Sequence, residues 1–325
     1  MAYSIAALIM LAASWPFQFL SLSATGQSHV MRLAGGISTM LEQGYWLLAV
    51  IQVLIVFAIP SLILTGILYL AVPLLLGQPA PKYSGQVLNL IERLHPWGMA
   101  EIFLIGVLVS LVKISSLADV GFGTSFYTYL FFTILMVMTL LQYDDWQLRQ
   151  RLGVQLKRHE SSGNTQSIWA LLIASAILFI PANTLPIMST TLFGRSDPNT
   201  IIGGAVVLWD EGSYLIASVI LVASVIVPLV KIIILSFLTY SIQVGSFSRP
   251  DQRLSLYKWV EAIGRWSMID VFVVSVLVAL VQFDNAITIY PGPAVMSFAL
   301  MVILTMFVTL QFNTRLIWLQ VQKGS

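Results

Sequence analysis

Residues 260–270 read Val-Glu-Ala-Ile-Gly-Arg-Trp-Ser-Met-Ile-Asp, and residues 91–101 read Ile-Glu-Arg-Leu-His-Pro-Trp-Gly-Met-Ala-Glu. Each stretch goes from a charged segment through Trp, a small residue and Met to a carboxylate, and a long apolar run follows. The two carboxylates, Asp270 and Glu101, come one helical turn after the Trp. Because a carboxylate inside lipid is costly, two of them in register predict either an ion pair or a functional site.

The composition predicts an integral membrane protein of the helical type. Of the 325 residues, 58% are hydrophobic and only 9% are charged, whereas a soluble domain carries about 25% charged residues. There is no Cys, and the three His are far apart, so no thiolate chemistry and no metal site is expected. We expect no cofactor. The net charge of +2 gives no reason to expect a nucleic-acid partner.

Eight apolar segments approach or exceed the roughly 20 residues that a membrane helix needs. We interpret the first as a membrane helix, not a cleaved signal, since it lacks a basic start and an A-x-A site. The second and sixth exceed the minimum length, and Pro60 and Pro228 inside them predict kinks. The expected spans are 4–23, 45–76, 98–118, 125–143, 168–188, 213–241, 266–284 and 293–314.

The basic residues predict that both termini are cytoplasmic. With that orientation the outside loops hold only Arg32 and Arg195, and Lys113 and Lys231 lie within spans. The inside segments then hold all the other basic residues, namely Lys82, Arg93, Arg149, Arg151, Lys157, Arg158, Arg249, Arg253, Lys258, Arg265, Arg315 and Lys323.

Landmarks recur at a nearly constant spacing, which predicts an internal repeat. The separation of Pro60 from Pro228 is nearly the same as that of Trp97 from Trp266. We therefore expect an all-α membrane protein built from two parallel four-helix repeats. Their bounds are 1–143 and 167–325, joined by a cytoplasmic linker at 144–166. Four spans per repeat place both repeats in the same orientation.

Two pairs of charged residues are candidates for a polar core. Glu101 and Asp270 either titrate within each repeat or pair structurally near the cytoplasmic headgroups, where the preceding Trp marks the interface. Lys113 lies toward the outer end of the third span, and Asp119 follows it closely in the sequence. These two either reach the outer surface or line a polar path.

The second repeat carries polar features that the first lacks. Lys231 lies near the middle of its span, and its counterpart in the first repeat is Ile63. It forms either a buried ion pair or a titrating or anion-binding site. Asn183 and Thr184 lie between Pro181 and Pro186, which predicts a broken helix whose free carbonyls line a cavity.

The enzyme motifs H-E-x-x-H, G-x-S-x-G and Walker A are absent, so we do not expect an enzyme. Several stretches resemble the paraquat-inducible protein A family, which includes the lipophilic envelope-spanning tunnel protein A group. They are Pro-Trp-Gly-Met-Ala-Glu-Ile-Phe-Leu at 96–104, Gly-Arg-Trp-Ser-Met-Ile-Asp-Val at 264–271, Pro-Ala-Asn-Thr-Leu-Pro at 181–186 and Ile-Gly-Gly at 202–204.

The resemblance implies a multi-pass inner-membrane protein of Gram-negative bacteria. It implies a periplasmic MCE-domain partner and movement of phospholipids or other lipophilic molecules in support of envelope integrity. Typical members carry cytoplasmic zinc ribbons, and this Cys-free chain is expected to be a ribbon-less member. The partner would dock on the outside loops at 24–44 and 190–212. The alternatives are a structural anchor for that partner and an ion-coupled small-molecule transporter.

Overall fold

The computed structural model describes residues 1–24, 27–42, 44–114, 119–153, 165–192, 195–210, 212–244, 250–280, 282–283 and 287–312. The chain divides into two compact units, Met1–Arg158 with Ser275–Gln282, and His159–Val274 with Phe283–Ser325. The first boundary between them falls inside the predicted linker at 144–166.

The first unit consists mainly of helices, with a small sheet. Helices α3 and α4 are joined by a π-helical segment, Leu54–Ala58, and α5 and α6 by a 3-10 turn, His95–Trp97. The elements are α1 (Ala2–Ala13), β1 (Gln18–Ala24), β2 (Gln27–Arg32), α2 (Leu33–Glu42), α3 (Trp46–Val53), α4 (Ile59–Leu75), α5 (Ser84–Leu94), α6 (Ala100–Ile114), β3 (Asp119–Phe122), α7 (Thr124–Leu141) and α8 (Asp145–Arg151).

The elements after residue 164 follow in a closely similar order. A second π-helical segment, Val222–Ile226, joins α11 to α12. The elements are α9 (Thr165–Thr184), β4 (Met188–Leu192), β5 (Arg195–Asn199), α10 (Ile201–Asp210), α11 (Tyr214–Leu221), α12 (Val227–Gln243), α13 (Pro250–Trp266), α14 (Ile269–Leu280), β6 (Gln282–Phe283), β7 (Ile287–Pro291) and α15 (Ala294–Gln311).

The strands correct the expectation of an all-α protein. In the first unit β1 is the central strand of an antiparallel sheet with the order β2-β1-β3. In the other sheet, of order β5-β4-β7-β6, β4 pairs with both β5 and β7. The first helix ends before Pro16, and Ser14 donates a hydrogen bond to the Leu11 carbonyl oxygen at 2.7 Å. The apolar residues after Pro16, which we assigned to the first span, form β1 instead.

Six helical segments among the described residues are long and apolar enough to cross a membrane. Helices α1 and α14, at the places of the predicted first and seventh spans, have 12 residues each. The count of eight spans therefore stays a prediction. The six segments are Trp46–Leu75, Ser84–Leu111, Thr124–Leu141, Thr165–Thr184, Ala217–Ser241 and Ala294–Gln311.

Each of the two longest apolar runs in the sequence contains a π-helical turn shortly before a proline. The turns are Leu54–Ala58 before Pro60 and Val222–Ile226 before Pro228. A proline lacks the backbone N–H and crowds the carbonyl four residues earlier, so a wider turn relieves the crowding. The two turns lie at the same spacing along the chain as the two prolines themselves.

One candidate spanning segment, Ser84–Leu111, begins before the predicted third span at 98–118. Helix α5, which we placed outside the membrane, packs on α4, since a Cβ added to Gly66 would meet Ile91 at 3.1 Å and Val87 at 3.3 Å. A Cβ on Gly98 would meet Met136 at 3.1 Å and Ile63 at 3.4 Å, and both lie inside spanning helices. The Trp97 turn therefore lies beside the interior of α4 and α7, and not at their ends.

Buried apolar side chains hold each unit together. In the first, Tyr129 of α7 is fully buried against Phe103, Phe132 and Phe19, with ring centroids 5.2–6.3 Å apart. One core cluster of the second unit joins α9, α12, α13 and α15. This cluster contains Ile168, Leu172, Leu235, Val260 and Val308.

Candidate functional site

Lys231 is a buried cation among the described residues of the second unit. It lies on α12, only 2% of it is exposed, and its Nζ has no hydrogen-bond partner among the described residues. A Cβ built on Gly264 of α13 would lie 3.1 Å from this Nζ and 3.4 Å from Cε. The ammonium group therefore sits against the bare backbone of Gly264, where any larger residue would crowd it.

The surroundings of Lys231 follow from the packing of α12 on its neighbours. Leu235, one turn along α12, packs with Val260, which lies one turn before Gly264 on α13. The Lys231–Gly264 contact is therefore one turn beyond the apolar core, close to the end of α13 at Trp266. The ammonium group lies near the point where the chain leaves α13 for α14.

Asp270 is the second residue of α14, and Ser267 and Met268 separate this helix from α13. Both of these joining residues are buried. The side chain of Asp270 is outside the described part of the structure. The backbone thus brings the Asp270 position to the same helix break as Lys231, and the pairing of the two side chains stays a prediction.

Asn183 and Thr184 form the last turn of α9, which runs through Pro181 without a break. Asn183 Nδ2 donates to the Phe179 carbonyl oxygen at 2.8 Å, and Thr184 Oγ1 donates to the Ile180 carbonyl oxygen at 2.9 Å. Both bonds thus go to carbonyls one turn earlier in the same helix, and α9 continues through Pro181, which corrects the expected break. The cavity lined by carbonyls stays a prediction.

Asn183 and Lys231 lie on helices that pack together. Helices α9 and α12 share a core cluster, and Trp169 Nε1 of α9 donates to Gln243 Oε1 of α12 at 3.1 Å. Among the described residues, neither Asn183 Oδ1 nor Lys231 Nζ has a hydrogen-bond partner, so no hydrogen bond joins the two predicted core residues.

In the first unit the predicted residues lie at both ends of α6. Glu101 is its second residue, partly buried, and follows the Trp97 turn inside the unit. Lys113 is next to last in α6, and Asp119 begins β3. The side chains of Lys113 and Asp119 are outside the described part, so any pairing between them stays a prediction.

An ion-pair cluster around Arg149 was missed at the sequence level. Arg149 of α8 is only 5% exposed and bonds Asp145 Oδ2 at 2.6 Å, Glu92 Oε2 at 3.0 Å and Asn89 Oδ1 at 3.2 Å. The Asp145–Arg149 pair, one helical turn apart, was visible in the sequence. The contact with Glu92 was not, because the two partners lie on helices that are far apart along the chain.

The Arg149 cluster fixes α8 to α5. Burial works against the guanidinium charge, but the hydrogen bond and the charge of Asp145 outweigh it and raise the pKa of Arg149. Tyr143 donates to Asp145 Oδ1 at 3.2 Å, and burial followed by the Asp145 charge raises the pKa of Tyr143. Every charge of this cluster has a partner, so we assign it to stability.

Among the described residues, no group of three His, Asp or Glu side chains is placed to hold a metal ion. Within the part of the second unit that the structure describes, the buried Nζ of Lys231 beside the helix break remains without an assigned role. A buried cation without a partner can attract an anion or change its protonation state when its surroundings change.

Comparison with known proteins shows one family over nearly the whole chain. The family model described as Paraquat-inducible protein A matches residues 1–152 and 165–322. The chain is 35% identical to Intermembrane transport protein PqiA of Escherichia coli strain K12, over 98% of this chain and 85% of that protein. No solved structure matches the chain.

Two further relatives have related names. Lipophilic envelope-spanning tunnel protein A of Escherichia coli strain K12 is 29% identical over 87% of this chain and 73% of that protein. A probable intermembrane transport protein of Haemophilus influenzae is 37% identical over 47% of this chain and 37% of its own length.

Proposed function

The chain belongs to the paraquat-inducible protein A family, and we propose that it is the inner-membrane subunit of a system that moves lipids between membranes. The cargo is a phospholipid or another lipophilic molecule, and the partner is a periplasmic MCE-domain protein that forms a tunnel. This transport supports the integrity of the cell envelope. The names of the relatives, which refer to intermembrane transport and to an envelope-spanning tunnel, support the proposal.

The observation that carries the proposal is the burial of the Lys231 ammonium group inside a spanning segment. A charged or titrating group at that depth is costly, and membrane proteins retain one mainly where it acts on a substrate or an ion. A chain that only anchored a partner would have no need for a charged group at that depth. Lys231 therefore favours a transport step within the second unit.

The membrane arrangement that we propose has both termini in the cytoplasm and two parallel repeats. The strand hairpins β1–β2 and β4–β5 then face the periplasm, and α2 and α10 lie next to them at the headgroup layer. These elements lie within or beside the loops at 24–44 and 190–212, where we propose that the partner docks.

Proton movement through the membrane potential supplies the energy for this transport mechanism. Moving one elementary charge through 100 mV is worth about 2.3 kcal/mol, so one or two protons suffice to bias a change of a few kcal/mol. Asp270 beside the α13–α14 break and Glu101 beside the Trp97 turn are the carboxylates that we propose to carry them.

The test is complementation in cells that lack the gene, with Lys231→Ala and Asp270→Asn. Both variants should fail to restore resistance to detergents while accumulating in the membrane like the parent. Arg151→Ala, an exposed residue of α8, is the matched control and should complement fully. Full complementation by both variants at normal protein levels would overturn the proposed polar site.

A further inference from the structure

An apolar groove runs between α10 and the segment formed by α11 and its π-helical turn. Its cavity volume is about 310 Å³, at the lower end of the range of about 300–1,000 Å³ for ligand pockets. The lining consists of Ala205, Val206, Trp209, Ala217, Ser218, Leu221 and Val222. The one hydroxyl among them, Ser218 Oγ, donates to the Tyr214 carbonyl oxygen at 2.7 Å. The groove therefore offers no free hydroxyl donor to a polar ligand.

One wall of the groove belongs to Ala217–Ser241, a helical segment long and apolar enough to cross a membrane. Leu221 and Val222 on that wall and Val206 on the other are exposed. In a segment that crosses a membrane, an exposed apolar surface faces hydrocarbon, because water is absent from the bilayer core. The groove is thus open to acyl chains.

An aromatic pair stands beside the turn that joins α10 to α11. Trp209 and Tyr214 make an edge-to-face contact with ring centroids 5.0 Å apart, and both are exposed. Trp and Tyr are enriched where membrane proteins meet the headgroup layer. The groove therefore begins at headgroup depth and continues toward the hydrocarbon, which is the course of a lipid molecule.

The first half of the chain has a larger residue at the position that corresponds to Ala205, which lines the groove. At the spacing that relates Pro60 to Pro228, Ala205 corresponds to Ile37, which is buried in α2, and Trp209 corresponds to Leu41. A methyl group in the second half thus stands where the first half has a four-carbon side chain. The small residue leaves space between α10 and α11, and the aromatic residue stands beside it.

We propose that this groove binds one acyl chain of a bilayer phospholipid, with the lipid headgroup beside Trp209 and Tyr214. The inference deepens the proposed function, on which it rests for the role of the lipid as cargo. The bound chain lies against the π-helical turn that precedes Pro228, on the same helical segment as Lys231. A lipid in the groove thus touches the segment that carries the buried cation.

The test uses a benzophenone amino acid in place of Val206, in the purified full chain. The protein is placed in nanodiscs of phosphatidylethanolamine whose acyl chains carry an alkyne tag, and is then illuminated. Val219 is the matched control, because it is also apolar and 58% exposed, against 51% for Val206, but does not line the groove. We expect labelling at position 206 to exceed labelling at position 219 by about fivefold or more.

Two variants that fill the groove complete the test. Ala205→Ile, which copies the residue of the first half, and Ser218→Leu should each lower labelling at position 206 to the level at position 219. Gel filtration and thermal unfolding establish that each filled variant is folded. Equal labelling at both positions in the parent, or crosslinking of position 206 mainly to protein, would overturn the inference.

The outcomes separate the groove from the proposed function. Selective labelling at position 206 combined with full complementation by the Lys231 and Asp270 variants would support the lipid groove and contradict the polar site. Equal labelling at both positions combined with failed complementation would contradict the groove and support the transport role.

Discussion

Lys231→Met should abolish transport while leaving the protein folded and at least as stable as the parent. Methionine fills nearly the same space without a charge, and its flexible side chain adapts to the gap beside Gly264. Because Lys231 Nζ has no hydrogen-bond partner among the described residues, the change removes the cost of burying an unpaired polar group, which is about 1–3 kcal/mol. The expected result is complementation at the level of the empty vector, with a melting temperature in detergent equal to or above that of the parent.

The control for Lys231→Met is Ile63→Met, at the corresponding position of the first half. Ile63 is fully buried in α4, and the change conserves both volume and polarity, so it should cost less than about 1.5 kcal/mol and leave complementation intact. A fall in the melting temperature for Lys231→Met, without a fall for Ile63→Met, would show that the ammonium group is paired in the native state. Normal complementation by Lys231→Met would remove Lys231 from the mechanism.

Gly292→Ala should prevent the second unit from folding. Gly292 precedes α15, and a Cβ there would overlap the carbonyl oxygen of Pro186 and lie 2.7 Å from its carbonyl carbon. The same backbone junction is held by hydrogen bonds from Gly292 N to Ile187 O at 2.8 Å and from Ala294 N to Pro186 O at 3.2 Å. Neither backbone segment can move without losing these bonds, so we expect a loss of more than about 3 kcal/mol.

The measurement for Gly292→Ala is the amount of monodisperse protein extracted from membranes, followed by its melting temperature. Gly204→Ala is the matched control, because a Cβ there meets nothing within 4 Å and alanine favours the helix by up to about 1 kcal/mol. Gly204→Ala should therefore accumulate and melt like the parent or slightly above it. A Gly292→Ala protein that accumulates and melts like the parent would contradict the described junction.

The helices were largely predictable because hydropathy and length suffice to identify apolar segments. The strands were not, because the residues of β1 continue the apolar character of α1, and a membrane prediction reads the two as one run. Ser14 and Pro16 indicate a helix end, but the hydropathy of the whole stretch favoured one continuous span at 4–23. The packing of α5 was not predictable, because the contact of its Ile91 with Gly66 depends on how α5 folds back onto α4.

The candidate site was predictable only in part. The position of Lys231 in the middle of an apolar run indicated burial, whereas its closeness to Gly264 depends on how α12 meets α13. Asn183 lies in a proline-rich stretch that suggested a cavity, but its amide bonds a carbonyl of its own helix. A sequence shows which polar residues lie in apolar surroundings, but not which backbone groups satisfy them.

The most direct measurement is the amount of phospholipid inside the periplasmic partner, purified from cells that carry the parent chain, Lys231→Met or no copy of the gene. The proposed transport role predicts that the partner binds the parent and Lys231→Met equally well. It also predicts that the lipid content of the partner falls several-fold with Lys231→Met, to the level found without the gene. An unchanged lipid content with Lys231→Met, in a complex that still forms, would contradict the proposed transport role and favour a structural anchor for the partner.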